Sequence, residues 1–272
     1  MKTSGATSRI PAIFKELREL GHKGLMPFIC AGRPSMDALP DVLRAAQEAG
    51  GHIVEVGFPF SDPIADGPVI AAAMHEALTT GVTPQQIFDE VARVRSELDI
   101  GLIAMVSVSI VHRMGAERFV NDATAAGFDG FIFPDAPVDE ARSLVDCVES
   151  AGRTVTLLAA PTSPDDRLRR ICDMSSGFVY LLARLGVTGE QTVAPTIEPH
   201  VRRLRSLTDL PIACGFGIST AAHVRDIVAH ADAAIVGSAL VRRIERAFAD
   251  KGEDAAVDAV HNCVSELAEG LS

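Results

Sequence analysis

The chain has 272 residues, of which 47% are hydrophobic and 22% are charged, a balance typical of folded globular proteins and not of disordered ones. Its formal net charge of −11 argues against a nucleic-acid partner, because proteins of that class cluster lysine and arginine on one surface. No apolar run approaches the roughly 18 residues that a membrane-spanning helix needs, so no span is predicted.

Short apolar, β-branched runs alternate with amphipathic stretches of helical period along the whole chain. The predicted strands are residues 25–31, 53–57, 101–107, 130–133, 154–160, 178–182, 211–214 and 233–236. The predicted helices are residues 36–49, 84–98, 116–126, 138–151, 164–172, 198–207, 220–228 and 238–249, with an extra N-terminal helix at 10–20.

This alternation indicates an α/β protein with a parallel sheet. Eight strand–helix pairs favour a closed (β/α)8 TIM barrel over an open doubly wound sheet, which usually has about five or six strands. No linker interrupts the pattern, so residues 1–272 are expected to form a single domain. In such barrels the reacting groups lie on the loops that follow the strands, so polar residues at those ends are the site candidates.

Five cysteines are scattered along the chain without the Cys-x-x-Cys spacing of a zinc site or a redox pair. We expect reduced thiols, three or four of them in the core, as in cytosolic proteins. Residues 1–9 are polar and lack the apolar run of a signal peptide. Together these features predict a cytoplasmic protein.

Glu55 lies inside the otherwise apolar strand at 53–57. Strand alternation places Ile53, Glu55 and Gly57 on one face and Val54 and Val56 on the other. Both faces of a parallel barrel are buried, so the carboxyl loses water and its neutral form is favoured, which suits general acid–base catalysis near neutral pH. A buried ion pair with arginine or lysine is the alternative interpretation. Gly57 would give a ligand room to approach closely.

Asp66 follows this strand in a loop rich in proline and glycine. Asp-Gly-Pro is a common turn sequence, and Asp62, before Pro63, is better read as a turn or cap residue than as a catalyst. Asp66 is a stronger catalytic candidate than Asp62 because it is expected on the catalytic face, within reach of Glu55. Two carboxyl groups in different environments can divide the work, one exchanging protons while the other stays ionised.

Three glycine-rich turns, residues 186–189, 215–219 and 237–239, follow the sixth, seventh and eighth predicted strands. Barrels commonly bind phosphate there, because glycine lets backbone N–H groups approach the anion and a helix N-terminus adds its dipole. Ser238 is thus a phosphate candidate, although a simple N-cap role is the alternative. Together the turns predict a phosphorylated ligand.

Other candidate residues are less informative. Tyr180, the only tyrosine, is either a pocket residue or ordinary core. The eight histidines show no metal-ligand spacing, and His52, at the wrong end of its strand for catalysis, is read with the others as structural or on the surface. No metal site is predicted.

The segment 55–68 resembles the signature of the tryptophan synthase α-subunit family almost residue for residue. The likeness continues through Pro27-Phe28 and the segments 135–137, 160–164, 180–189 and 215–219, in order and spacing from about residue 10 to residue 249. It implies retro-aldol cleavage of indole-3-glycerol phosphate to indole and glyceraldehyde 3-phosphate without a metal or organic cofactor. It also implies a tryptophan synthase β subunit as partner in an αββα tetramer.

The resemblance also implies roles for individual residues. Glu55 would protonate C3 of the indole and act as base at the glycerol hydroxyl, while Asp66 would bind the indole N–H. Tyr180 and Thr188 would support these two carboxyl groups. The residues implied to surround the indole are Phe28, Ile64 and Phe216, and those implied to hold the phosphate are Gly189, Gly217, Gly237 and Ser238.

Some positions depart from the family pattern. Ser107 and Ser109 stand where tyrosine and asparagine are usual, and these positions ordinarily line the pocket and contact the β subunit. Arg33 replaces a usual aspartate, Cys30 a usual threonine and Ala183 a frequent serine. Two alternatives therefore stay open: a stand-alone lyase that releases free indole, and a non-catalytic α-like protein that activates a β chain allosterically. Retention of both Glu55 and Asp66 argues against the second, because a pure binder has no reason to bury a carboxylate.

Overall fold

The strands of the chain form one parallel sheet that closes on itself. The computed structural model describes residues 8–63, 67–183, 197–215 and 217–272. The strands are β1 (Gly24–Cys30), β2 (Ile53–Gly57), β3 (Gly101–Met105), β4 (Gly130–Ile132), β5 (Thr154–Thr156), β6 (Leu158–Ala159), β7 (Val179–Leu182), β8 (Ile212–Gly215) and β9 (Ala233–Val236). Their order in the sheet is β5-β4-β3-β2-β1-β9-β8-β7-β6.

The two ends of this sheet are two parts of one extended run. β5 and β6 are separated only by Leu157, whose carbonyl accepts a hydrogen bond from the backbone N–H of Tyr180 on β7 at 3.4 Å. The run thus pairs with β4 through its first half and with β7 through its second half. The predicted strand at 154–160 is divided in this way, and the predicted eight-part (β/α)8 barrel is confirmed.

Side-chain alternation separates two apolar clusters. Residues such as Met26 and Ile53 belong to the cluster inside the barrel, whereas Val54 and Val56 belong to the cluster between the strands and the helices. Both faces of β1 and β2 are fully buried, as the continuous apolar runs predict for a parallel sheet. The face assignment made from the sequence of β2 is therefore confirmed.

Twelve α-helices are seen in the described part of the chain. They are α1 (Ile10–Glu19), α2 (Leu39–Glu48), α3 (Pro68–Thr79), α4 (Pro84–Val94), α5 (Val108–Met114), α6 (Ala116–Ala126), α7 (Arg142–Ser150), α8 (Asp165–Met174), α9 (Glu198–Arg205), α10 (Ala221–Val228), α11 (Ser238–Lys251) and α12 (Glu253–Ala268). Nine lie where helices are predicted, and α3, α5 and α12 do not correspond to a predicted helix. None of the helices in these described segments is long and apolar enough to cross a bilayer.

The extra N-terminal helix, α1, covers the end of the barrel where the strands begin. Its Ile10 and Phe14 belong to the interior cluster. A side chain at Gly101, the first residue of β3, would lie 2.5 Å from Cδ1 of Ile10, and the rings of Phe14 and Phe178 are 5.6 Å apart between centroids. Because α1 fills this end, the opposite end, where the strands finish, is the one available to a ligand.

A buried carboxylate also ties the closed end together. Asp129, 4% exposed, accepts hydrogen bonds from Nη2 of Arg95 at 2.8 Å and from the backbone N–H of Leu102 at 3.0 Å. These groups lie where β3 and β4 begin. Polar groups at this end of a barrel contribute to stability and not to catalysis. The five cysteines are free thiols, and four of them are buried.

Candidate active site

Glu55 lies at the centre of β2 and is only 1% exposed. In the sheet register its neighbours are Phe28 on β1 and Ile103 on β3, both of them members of the interior apolar cluster. The carboxyl group is therefore buried within the barrel between two apolar register neighbours, as the strand pattern predicted. Its catalytic role stays a prediction.

Gly57 lies two residues further along β2, on the same face as Glu55. A Cβ atom at this position would come within 2.5 Å of Cε2 of Phe28, so the phenyl ring occupies the space beside the glycine backbone. The expectation that Gly57 makes room for a ligand is corrected: it makes room for Phe28 of this chain. Phe28 is 2% exposed. Its backbone is the register partner of Glu55 and its ring lies beside Gly57, so its side chain extends along β2 from Glu55 to Gly57.

Tyr180 has a similar relationship to a glycine on the opposite side of the barrel. It is 6% exposed, belongs to the interior cluster, and its hydroxyl would lie 2.5 Å from a Cβ atom at Gly215, the last residue of β8. The tyrosine tip is thus directed to the end of the barrel where the strands finish. This places it on the side expected of a pocket residue, and its role towards a ligand stays a prediction.

The predicted phosphate residues that the structure describes follow β8 and β9. Gly217 has φ +79°, a left-handed backbone conformation that side-chain-bearing residues seldom adopt. Gly237 occupies the N-cap position of α11, and Ser238 is its first helical residue, 8% exposed. The alternative reading of Ser238 as an N-cap is therefore wrong. The first amides of α11 have no carbonyl partner within the helix, which suits them to an anion.

The start of α11 lies close to the aromatic side of the site. A Cβ atom at Gly237 would be 3.3 Å from Cδ1 of Ile70 on α3 and 3.7 Å from Cβ of Phe28. Phe28 in turn neighbours Glu55 in the sheet. The phosphate candidates and the buried carboxyl are thus connected through a single side chain.

Five predicted site residues cannot be compared with the structure. Ile64, Asp66, Thr188, Gly189 and Phe216 lie outside the described residues. Their roles stay predictions that rest on the family resemblance.

Helix α3 supplies site residues that the sequence analysis missed. Its Ile70, Ala73, Met74 and Ala77 are buried and belong to the interior cluster, so this helix packs across the open end of the barrel. Their spacing of three and four residues, with Pro68 at the first helical position, is a helix signal that was present in the sequence.

A small pocket opens between the ends of β2, β3 and β4. Met105, which neighbours Gly57 in the sheet register, lines it together with Ser107 and Asp135. The Ser107 hydroxyl donates to Oδ2 of Asp135 at 2.6 Å, and the backbone N–H of Val108 donates to Oδ1 at 2.9 Å. Ser107 is also the N-cap of α5, accepting from the backbone N–H of Ser109 at 3.2 Å. The departure from the family pattern at Ser107 therefore has a local structural role.

Arg33, another departure from the pattern, lies just after β1 and is 8% exposed. Its Nε donates to Glu245 of α11 at 2.7 Å, and its Nη2 pairs with Glu245 and, at 2.8 Å, with Glu76 of α3. The guanidinium also lies 5.4 Å from the ring centre of Phe248. Hydrogen bonding to Glu245 raises the pKa of Arg33. The residue ties three elements of the open end together.

The described residues were also compared with the predictions about metal sites and histidines. Within the described segments no group of three or more His, Cys, Asp and Glu side chains is placed to hold a metal ion. His52 accepts a hydrogen bond on Nδ1 from the backbone N–H of Leu25 at 3.2 Å, at the closed end of the barrel. The structural reading of His52 is confirmed.

Comparison with known proteins agrees with this architecture. The family model described as tryptophan synthase alpha chain matches residues 14–271. The tryptophan synthase alpha chain of Synechococcus sp. (strain CC9902) is 41% identical over 247 residues, covering 90% of this chain and 92% of the relative. The corresponding protein of Rhodopirellula baltica is 39% identical over 264 residues, 96% of this chain and 95% of the relative.

Solved structures give the same result. A chain in the structure of Mycobacterium tuberculosis tryptophan synthase superposes with a TM-score of 0.88 at 32% identity, covering 98% of this chain and 99% of that one. The match in sequence runs through both the strand that carries Glu55 and the turns that carry the phosphate candidates. The chain belongs to the tryptophan synthase alpha chain family.

Proposed function

We propose that this chain is a carbon–carbon lyase of tryptophan biosynthesis that cleaves indole-3-glycerol phosphate to indole and glyceraldehyde 3-phosphate. The observation that carries the proposal is the placement of Glu55, 1% exposed and flanked by Phe28 and Ile103, beside the open end of a barrel of this family. A carboxyl without access to bulk water exchanges protons with a bound substrate and not with solvent.

The chemistry follows from one proton moving between two sites of the substrate. Glu55 gives its proton to C3 of the indole, which leaves the ring nitrogen with positive character. The ionised Asp66 accepts a hydrogen bond from the indole N–H and stabilises that charge. Glu55 then takes the proton from the hydroxyl next to C3, the carbonyl of the aldehyde forms, and the electron pair of the breaking C–C bond restores the aromatic ring. The carboxyl is regenerated in its protonated form.

Binding energy comes from the two ends of the substrate. Phe28, Ile64 and Phe216 would pack against the indole, with Tyr180 and Thr188 supporting the two carboxyl groups. Gly189, Gly217, Gly237 and Ser238 would hold the phosphate. The left-handed backbone of Gly217 and the first amides of α11 beside Gly237 support this assignment.

The family membership supports a wider set of proposals. The partner would be a tryptophan synthase β subunit, in an αββα heterotetramer, and the setting would be the cytoplasm. The whole chain would fold as one domain. That last proposal is supported by the packing of α12, which contacts α11 and α2 and so belongs to the same helical layer as the rest.

Release of indole from indole-3-glycerol phosphate tests this function, with the purified chain alone and with an added β subunit. Weak activity that rises with the β subunit is the expected result. Strong activity indifferent to it would favour the stand-alone lyase, and a folded protein with no cleavage in either case would favour the non-catalytic allosteric partner.

Glu55→Gln tests the catalytic assignment directly. The amide cannot donate and recover a proton in the same way, so cleavage should fall by about 10²–10⁴-fold or more. Glu48→Gln is the matched control, because Glu48 is an exposed residue of α2. Cleavage that survives Glu55→Gln unchanged would rule out the proposed acid–base role.

A further inference from the structure

The pocket between the ends of β2, β3 and β4 has room for a small group. We define this ring-end pocket by Phe58, Met74, Met105, Ser107, Pro134 and Asp135. Its cavity volume is about 30 Å³, and a site needs roughly 10–15 Å³ to hold one water molecule. The space therefore matches a substituent of one or two heavy atoms and not a second ring.

Strand order determines which end of the substrate faces this pocket. The phosphate candidates follow β8 and β9, Glu55 lies on β2, and the ring-end pocket lies at the ends of β3 and β4. Going round the barrel, β2 lies between the phosphate side and the pocket side. A substrate with its phosphate at Ser238 and its C3 at Glu55 thus directs its six-membered ring towards Met105 and Ser107.

The pocket is mostly apolar, and its polar lining residues are Asp62, Ser107 and Asp135. Phe58, Met74 and Met105 provide carbon and sulfur surfaces, whereas Asp135 brings a carboxylate to the lining. Each oxygen of an ionised carboxylate has two acceptor positions. Oδ1 accepts from the backbone N–H of Val108 and Oδ2 from the hydroxyl of Ser107, so each oxygen keeps a further acceptor position for a ligand donor.

Ser107 is the residue that makes the space. Its side chain is a single hydroxyl held against Asp135, at a position where the family pattern usually has tyrosine. A tyrosine at this lining position would place a phenol ring beside the pocket and reduce its space. The opening is therefore a property of this chain's own sequence.

We propose that the ring-end pocket is a specificity subsite that accepts a hydroxyl group on the six-membered ring of the substrate, with Asp135 as the hydrogen-bond acceptor. The proposal rests on the proposed function for the orientation of the substrate. Ring-hydroxylated indole-3-glycerol phosphates are then substrates of this chain, and derivatives with a methyl group at the same carbon fit less well because they have nothing to donate.

Equilibrium binding of uncleavable analogues tests the pocket without depending on catalysis. Indole-3-propyl phosphates lack the glycerol hydroxyls, and the unsubstituted, hydroxy and methyl forms, substituted at position 5 or at position 6, are titrated into the full chain. At one of these positions the hydroxy form should bind severalfold more tightly than the methyl form, because only the hydroxyl donates to the carboxylate; the factor is limited because Asp135 is exposed and water competes for it. Equal affinities at both positions would overturn the proposal.

Two variants separate the contributions of size and of polarity. Asp135→Asn should reduce the ratio of hydroxy to methyl affinity because the amide oxygen is a weaker, uncharged acceptor, while Ser107→Tyr should weaken both substituted forms about tenfold relative to the unsubstituted one. Asp209→Asn, in the exposed turn before β8 at the closed end, should change neither ratio. Retention of the hydroxyl preference in both pocket variants would also overturn the assignment.

Cleavage assays with the corresponding glycerol phosphates distinguish failure of this inference from failure of the proposed function. Cleavage of the parent substrate together with equal affinities for the hydroxy and methyl analogues would disprove only the subsite. A clear hydroxyl preference in binding without any cleavage would support the subsite and disprove the lyase activity.

Discussion

The ring of Phe28 lies against the backbone of Gly57 on the neighbouring strand, where a Cβ atom would be only 2.5 Å from Cε2 of the ring. Cys30 of β1 is the register partner of Gly57, so the Phe28 side chain leans along β2 from Glu55 towards the open end. The Phe28 ring, which is proposed to pack against the indole, therefore keeps its position because Gly57 has no side chain. Gly57 lies on the same strand as the proposed acid, Glu55.

Gly57→Ala should disturb both stability and catalysis. The added methyl group forces the buried ring from its place, and overpacking of this kind costs about 1–3 kcal/mol of unfolding free energy. Because the ring borders Glu55, kcat/KM for indole release should also fall. Urea denaturation and steady-state kinetics measure the two effects.

Combining Gly57→Ala with Phe28→Leu provides the control. The smaller side chain relieves the overlap, so the double variant should be more stable than the sum of the two single changes predicts. If the changes in unfolding free energy of the two single variants simply added up in the double variant, the contact between Phe28 and Gly57 would not determine the cost of Gly57→Ala.

Periodicity predicted the position of Glu55 because the strand repeat of two residues assigns each side chain to a face. The purpose of Gly57 was not predictable in this way, since it depends on where Phe28 of another strand points. The same limit applies to Asp135 and Ser107, which are 28 residues apart and meet only because β3 and β4 are neighbours.

Helix α3 shows a different limit. Its sequence is rich in alanine and has little contrast between its faces, so amphipathicity alone did not reveal it, although its buried positions have helical spacing. The strand predicted at residues 154–160 is observed as two short strands, β5 and β6, on either side of Leu157. It is divided because β5 pairs with β4 and β6 pairs with β7. Such pairing is a tertiary property.

Ser238→Asp should weaken substrate binding without weakening the fold. A carboxylate at the first position of α11 interacts favourably with the helix dipole, so the unfolding free energy should stay within about 1 kcal/mol of the original. The same charge repels a phosphate at the helix start, and KM should rise about tenfold or more while kcat changes less.

Ser238→Ala is the neutral companion of that variant. It removes one hydroxyl and leaves the backbone amides of α11 in place, so its KM should lie between those of the unmodified chain and Ser238→Asp. A defect in kcat alone, with KM unchanged in Ser238→Asp, would contradict the phosphate assignment.

Arg33→Met should destabilise the open end of the barrel. It removes a mostly buried guanidinium from Glu245 and Glu76, and these carboxylates are 25% and 55% exposed as side chains, so solvent compensates part of the loss. We expect a decrease of about 1–3 kcal/mol in the unfolding free energy, less than for a fully buried pair.

Arg243→Met is the matched control for that change, because Arg243 pairs with Glu266 on the outer surface, where both side chains are substantially exposed. Its cost should stay below about 1 kcal/mol. Arg33→Asp, which restores the residue usual in the family, should be worse than Arg33→Met because it places a third carboxylate beside two others. Equal stability of all three variants would disprove the role assigned to Arg33.

His52 should make the stability of this chain depend on pH. Burial lowers its pKa, with a further contribution from nearby His22, and the neutral ring accepts a hydrogen bond from Leu25 that a protonated Nδ1 cannot accept. In the unfolded chain histidine titrates at about 6.5, so just below that pH the unfolded state binds more protons than the folded state. The contribution of His52 to the unfolding free energy is therefore fully present above about pH 6.5 and falls as the pH decreases towards the folded pKa, by up to about 1.4 kcal/mol per pH unit.

His52→Asn keeps an acceptor for Leu25 but does not titrate, so urea denaturation between pH 7 and pH 5 should show a smaller loss for this variant than for the unmodified chain. His261→Gln, at an exposed position of α12, should retain the full loss. Parallel pH profiles for His52→Asn and the unmodified chain would show that His52 is not the group responsible.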